Sequence, residues 1–208
     1  HYLRLVCTDP RPHGLEVFRP EPPGQYRKKA PKLDWLLNQL HDIKAKGEKA
    51  IVFCEFREIQ RLLQHYIETE FGVRPEIING DTSAASSHAA SRQKRIKAFQ
   101  KTPGFGVLVL SPVAVGFGVN IQEANHVVHY TRTWNPAKED QATDRAYRIG
   151  QQKPVYVYYP VVHAEDFTTF DVKLDQLLTY KRELAEDMLN GAGDVTPGDF
   201  NIADVVPQ

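Results

Sequence analysis

Gln141, Arg145 and Arg148 are the residues of this sequence best placed to do chemistry together. Offsets of four and three put them on one stripe of a helix, within about 60° of its circumference at 3.6 residues per turn. A guanidinium is a rigid fork of donors that matches phosphate oxygens and keeps its charge when removed from water. Two such forks and an amide on one stripe suit a polyanion. Asn135 is a good N-cap and Pro136 a good first helical residue, so a helix is expected from Asn135 to Arg148. The same spacing also serves a solvated face whose arginines pair with Glu139 or Asp144.

Three further segments could meet a ligand. Ser111 to Asn120 follows an apolar run and carries Gly116 and Gly118, which permit close backbone approach to a ligand or simply a tight turn packed by Phe117. Asn79-Gly80-Asp81-Thr82 offers exposed hydroxyl and backbone N–H groups that can hold a phosphate, or forms an ordinary turn. Arg92, Lys94, Arg95 and Lys97 form a basic cluster, suited to a nucleic-acid backbone or to water. His126 and His129, three apart in a strand, face opposite ways and are not expected to share a metal. No metal site is expected elsewhere. The chain contains no G-x-S-x-G, no H-E-x-x-H and no G-x-x-x-x-G-K-[ST] phosphate loop.

The elements that must position these residues alternate along the chain. Leu33, Leu36, Leu37, Leu40 and Ile43 recur at helical spacing between Pro31 and Gly47, and Ile59, Leu62, Leu63, Tyr66 and Ile67 do so before Gly72. Arg92 to Gln100 and Asp166 to Leu189 also read as helices. Continuous apolar runs at Ala50–Cys54, Glu76–Ile78, Val107–Leu110, His126–Tyr130 and Val155–Val162 read as strands buried on both faces. Such alternation predicts an α/β fold with a parallel sheet and helices on both faces, its chemistry at the carboxyl ends of the strands. Residues 8–31 hold six prolines, so residues 1–30 are expected to be an extended arm or linker. The main body is expected over 31–165, a final helix over 166–190 and a flexible acidic tail over 191–208. The Ala/Ser-rich stretch Ser83 to Ser91 reads as a lengthened loop.

Composition restricts the class. The chain has 208 residues, 25% charged and 41% hydrophobic, with zero formal net charge, so it is an ordinary globular sequence rather than a strongly basic one. The balance is uneven: six acids and no Lys or Arg follow Arg182, leaving a net +6 on the body. No run approaches the length of a membrane span, and no membrane association is expected. Two separated cysteines, Cys7 and Cys54, fit a reducing intracellular compartment. His1 is not an initiator Met and reads as the start of a piece cut from a longer chain.

These motifs together resemble the Swi/Snf-like ATPases of helicase superfamily two. Asp140 to Gln151 (DQATDRAYRIGQ) is similar to motif VI of that family, with Trp134-Asn135-Pro136 correctly placed before it. Ser111 to Ile121 resembles motif V, Ala50 to Phe56 motif IV, and Ile78 to Thr82 the motif that follows. Pro31 to Leu37 resembles the entry helix of the second motor lobe, and the resemblance covers residues 3 to about 189. It departs at Val115, Phe117 and Asp81, and at Tyr130-Thr131-Arg132-Thr133, where the family carries a more acidic stretch.

The resemblance implies a RecA-like fold and a C-terminal brace helix with Lys173, Lys181 and Arg182. It implies the second lobe of an ATP-driven double-stranded-DNA translocase, with ATP and Mg²⁺ held mainly by a first RecA-like lobe of the same polypeptide. Arg145 and Arg148 would be arginine fingers and Gln141 would position them. Gly116, Gly118 and Asn120 would line the nucleotide side, while Gly80, Thr82, Arg92, Ser111 and Trp134 would meet the DNA backbone. The lobe alone would not turn over ATP. The lack of a large insertion suggests a prokaryotic source, and hence cytoplasm or nucleoid. Two alternatives stand beside this: a non-catalytic module that docks DNA or protein, and a motor working on a nuclease, RNA polymerase or other DNA-processing partner.

Overall fold

A computed structural model describes residues 2–11, 20–79, 86–113, 121–144 and 153–187. The elements run α1 (Tyr2–Thr8), α2 (Pro23–Tyr26), α3 (Pro31–Ala45), β1 (Lys49–Phe53), α4 (Arg57–Phe71), β2 (Glu76–Ile78), α5 (Ser86–Lys101), β3 (Gly106–Leu110), β4 (His126–His129), α6 (Pro136–Thr143), β5 (Tyr156–Tyr158) and α7 (Phe170–Asp187). The strands form one sheet in the order β2-β3-β1-β4-β5, and every pair is parallel.

The two sheet faces follow from the period of the strand. Ala50, Val52 and Cys54 point into a core built with Leu33, Leu36, Leu37 and Leu40 of α3 and Ile59, Leu62, Leu63 and Tyr66 of α4. The intervening Ile51 and Phe53 point into a second core with Ile96 of α5 and Ala142 of α6. All residues of β1, β3 and β4 are buried, which is why these strands read as unbroken apolar runs. The helix ends are set by residue type. Pro31 supplies the first turn of α3, and Gly72, at φ 67°, closes α4 in the left-handed region with its N–H on the Glu68 carbonyl at 2.9 Å.

Four expectations change. The arm is not wholly extended: Tyr2–Thr8 is helical and Pro23 opens a single turn. The first stretch lacks Pro and Gly, and Pro is tolerated at a first helical position. The arm is also fastened, since Tyr26 stacks on Tyr66 at 5.1 Å and donates to Asp9 at 2.6 Å. Residues 86–91, expected in a loop, are the opening turns of α5, consistent with the high helix propensity of Ala. The fifth strand is only Tyr156–Tyr158, with Pro160 unable to donate to a ladder, and α7 begins at Phe170, where Thr169 Oγ1 accepts the Val172 N–H at 3.2 Å. A third cluster joins Phe170, Leu174 and Leu178 of α7 to Cys7 and Trp134.

Candidate functional site

Parallel pairing brings the ends of β1, β3 and β4 to one edge of the sheet. The loops leaving that edge are held by directional bonds. Thr131 Oγ1 accepts the Glu55 N–H at 2.9 Å, Gln60 Nε2 donates to the Cys54 carbonyl at 2.7 Å, and the Ser111 N–H extends the β2–β3 pairing to the Ile78 carbonyl at 2.9 Å. Ser111 is buried.

Helix α6 starts as its sequence dictates: Asn135 Oδ1 accepts the Ala137 N–H at 2.9 Å and Pro136 follows. Gln141 lies on its exposed face. Glu139 lies on the buried one, fully shielded from solvent. Arg132 grips Glu139 with a fork, Nε to Oε1 at 2.9 Å and Nη2 to Oε2 at 3.0 Å. The Thr133 N–H adds a bond to Oε1 at 2.8 Å, and Arg182 Nη2 of α7 a bond to Oε2 at 2.8 Å. Burial alone would raise the Glu139 carboxyl, but the bonds and charge of Arg132, helped by Arg182, outweigh it and the pKa falls below the usual value. The Tyr159 ring lies 4.3 Å from the Arg132 guanidinium and 5.4 Å from that of Arg182. Arg132 also pairs with Asp175, and Arg182 with Asp140 at 3.0 Å.

A second ion pair stands nearby, its arginine buried and its carboxylate exposed. Arg4 of α1 donates to Glu55 and to the Arg132 carbonyl, with its guanidinium 5.1 Å from the Phe56 ring and 5.8 Å from Trp134. Trp134 meets Phe170 edge-on at 5.9 Å, so this residue sits in the seam between α1, α7 and the strand exit. Arg92 is buried on α5. Arg145, Arg148, Gly80, Thr82, Gly116, Gly118 and Asn120 lie outside the described residues.

Residues 31–150 match the family described as the helicase conserved C-terminal domain. This chain belongs to that family. Over 96% of its length the domain is 56% identical to the Zorya protein ZorD of Escherichia coli O139:H28, of which it covers 18%. It is 33% identical, over 93% of its length, to YwqA of Bacillus subtilis, provisionally described as an ATP-dependent helicase/translocase, of which it covers 20%. The chain therefore spans about a fifth of these relatives. All of it aligns with the Sulfolobus solfataricus SWI2/SNF2 ATPase core in complex with double-stranded DNA, at TM-score 0.70 and 27% identity, covering 41% of that chain. The sheet is thus the RecA-like sheet of the C-terminal helicase lobe of a Swi/Snf-like ATPase.

Sequence reasoning missed the polar lattice that this lobe builds under its motif VI helix. It offered Glu139 only as one possible partner of a solvated arginine face, whereas the carboxylate is buried against Arg132 and Arg182. One signal was available: Arg132 stands in the segment that departs from the family's acidic pattern. Among the described residues, no three His, Cys, Asp or Glu side chains gather to hold a metal, and no helix is long and apolar enough to cross a membrane.

His126 and His129 face opposite sides of β4, as their spacing predicts. Burial between Phe53 and Tyr159 pushes the His129 imidazole down to about 4, with Nε2 2.8 Å from Thr143 Oγ1. The unfolded chain binds this proton near 6.5 and the folded lobe does not, so stability falls as pH drops from 6.5 towards 4 and is unaffected above that window. At about 1.4 kcal/mol per unit, the loss from pH 7 to pH 5 attributable to His129 is ~2 kcal/mol. Urea unfolding at the two pH values should show that difference shrink by this amount in His129→Gln. An unchanged difference would mean that His129 protonates normally in the fold. His126, also lowered by burial, acts in the same direction and remains in the variant.

Proposed function

We propose that this lobe is the second half of an ATP-driven motor that tracks double-stranded DNA. The observation carrying this reading is the alignment of the whole chain with a SWI2/SNF2 core bound to duplex DNA. Arg145 and Arg148 reach ATP bound on a first lobe of the same polypeptide, placing positive charge where phosphoryl transfer develops negative charge. Gln141, already on the exposed face of α6, positions them. Gly116, Gly118 and Asn120 let the backbone approach the nucleotide side. Gly80, Thr82, Ser111, Arg92 and Trp134 form or support the DNA groove. ATP and Mg²⁺ are held mainly by the first lobe. A nuclease or other DNA-processing protein is the proposed user of the motion.

Two measurements test this. ATP hydrolysis by the full-length protein should rise strongly on adding double-stranded DNA, while the lobe alone should turn over none. Its DNA binding should be sequence-independent, with log K falling linearly against log salt at a slope of about −0.9 per phosphate contacted. A salt-independent affinity, or hydrolysis indifferent to DNA, would favour a docking module instead.

A further inference from the structure

The inner face of α6 buries Pro136, Glu139 and Ala142, so the middle one of three buried residues is a carboxylate. Proline and alanine bring little apolar area, and apolar contact is non-directional. Packing alone therefore leaves the rotation of this eight-residue helix weakly specified. Hydrogen bonds specify it. The fork of Arg132 fixes Glu139 in one plane, and Thr143 at the other end meets His129 at 2.8 Å. The remaining links come from α7. Arg182 Nη2 reaches Glu139 at 2.8 Å and Asp140 at 3.0 Å, and Asp175 on the same helix takes the free arm of Arg132. Tyr159 holds both guanidiniums against one ring. The seating of α7 and the rotation of α6 are thus tied to one carboxylate.

We propose that Arg182 is a positioning residue: through Glu139 and Asp140 it sets the rotation of α6 and makes the seating of α7 a condition for ATP turnover. This rests on the reading that Arg145 and Arg148, which follow Thr143 in the chain, act on ATP. The surface of a helix lies roughly 5–6 Å from its axis, so a turn of α6 by about 20° moves its surface atoms by ~2 Å, a displacement the chain carries onward from Thr143. A displacement of that size at a phosphoryl-transfer site costs about 10²-fold in rate. Arg182 is the member to remove, because its side chain is 25% exposed while that of Arg132 is 3% exposed. Without Arg182, Glu139 keeps the Arg132 fork and the Thr133 N–H, so the fold survives.

The test uses the full-length protein, with Arg182→Ala, Arg182→Lys and Arg148→Ala variants assayed for ATP hydrolysis at saturating double-stranded DNA. Arg182→Ala should lower kcat by about 10- to 100-fold, with KM for ATP, DNA affinity and melting temperature close to those of the parent. Arg182→Lys should recover part of kcat, since an ammonium can reach Glu139 but cannot fork between it and Asp140. Parental kcat in Arg182→Ala beside an inactive Arg148→Ala would overturn the proposal. So would a loss of kcat matched by lost DNA affinity and a lowered melting temperature, which marks a residue of the fold only. Full activity in Arg148→Ala would instead remove the underlying reading, whatever Arg182 does.

Discussion

Arg148→Ala in the full-length protein is expected to reduce DNA-stimulated ATP turnover by about 10³-fold or more, the scale on which an arginine finger acts. Double-stranded-DNA affinity should stay within a few-fold of the parent. The separation follows from chemistry. In the proposed reading Arg148 meets charge that grows in the transition state, so its loss falls on kcat. In the same reading DNA would be held by many backbone contacts on the lobe, and losing a residue outside that set would leave the salt slope unchanged. Arg145→Ala should behave alike. A lysine at either position keeps the charge but loses the planar fork, so it should restore only part of the rate. Turnover retained in both alanine variants would reject the finger assignment. A collapse of DNA affinity in step with turnover would place these arginines at the DNA instead.

Glu139→Leu is expected to destabilise the lobe by about 3–5 kcal/mol, the usual consequence of stripping one partner from a buried ion pair. Leucine adds apolar contact, but it leaves the Arg132 fork, one bond of Arg182 and the Thr133 N–H without their acceptor. Arg182 is partly exposed and can turn to water or to Asp140. Arg132 is enclosed, and among the described residues Asp175 is the carboxylate that remains to it. Adding Arg132→Met to Glu139→Leu should therefore recover part of the loss, because it removes the cation the first change orphaned. Urea unfolding of the lobe and its single and double variants reads the coupling directly. A loss below about 1 kcal/mol in Glu139→Leu would show that water reaches this carboxylate in solution.

The sheet and its covering helices were legible because their signal is apolar periodicity, which survives without tertiary context. The leucines of α3 and the unbroken runs of β1, β3 and β4 each announced their element and its burial. Motif VI was legible as a string of residue types, and so was the start of α6 at Asn135 and Pro136. The support beneath it was not. Arg4, Glu55, Arg132, Glu139, Asp175 and Arg182 are charged, and charge in a sequence reads as surface. The burial of Arg4 and Glu139 depends on pairing across 51 residues for Arg4–Glu55 and 43 for Glu139–Arg182. No local spacing carries such a pairing. The helix in the arm was hidden for a different reason: the prolines that follow it drew the whole segment into one extended reading.

The carboxylate under α6 also governs how this lobe can exchange parts with its relatives. A motif VI helix grafted from a protein with an apolar residue at position 139 arrives without the acceptor that Arg132 and Arg182 need. A strand exit or a final helix grafted alone brings the reverse fault, an acid left without its cations. Segments 130–144 and 170–187 therefore travel as a matched set, together with Tyr159 between them, whose ring meets both guanidiniums. In this lobe the unit of modular exchange is a charge triad drawn from two separate stretches of sequence, and crossover points that respect only secondary structure will cut through it.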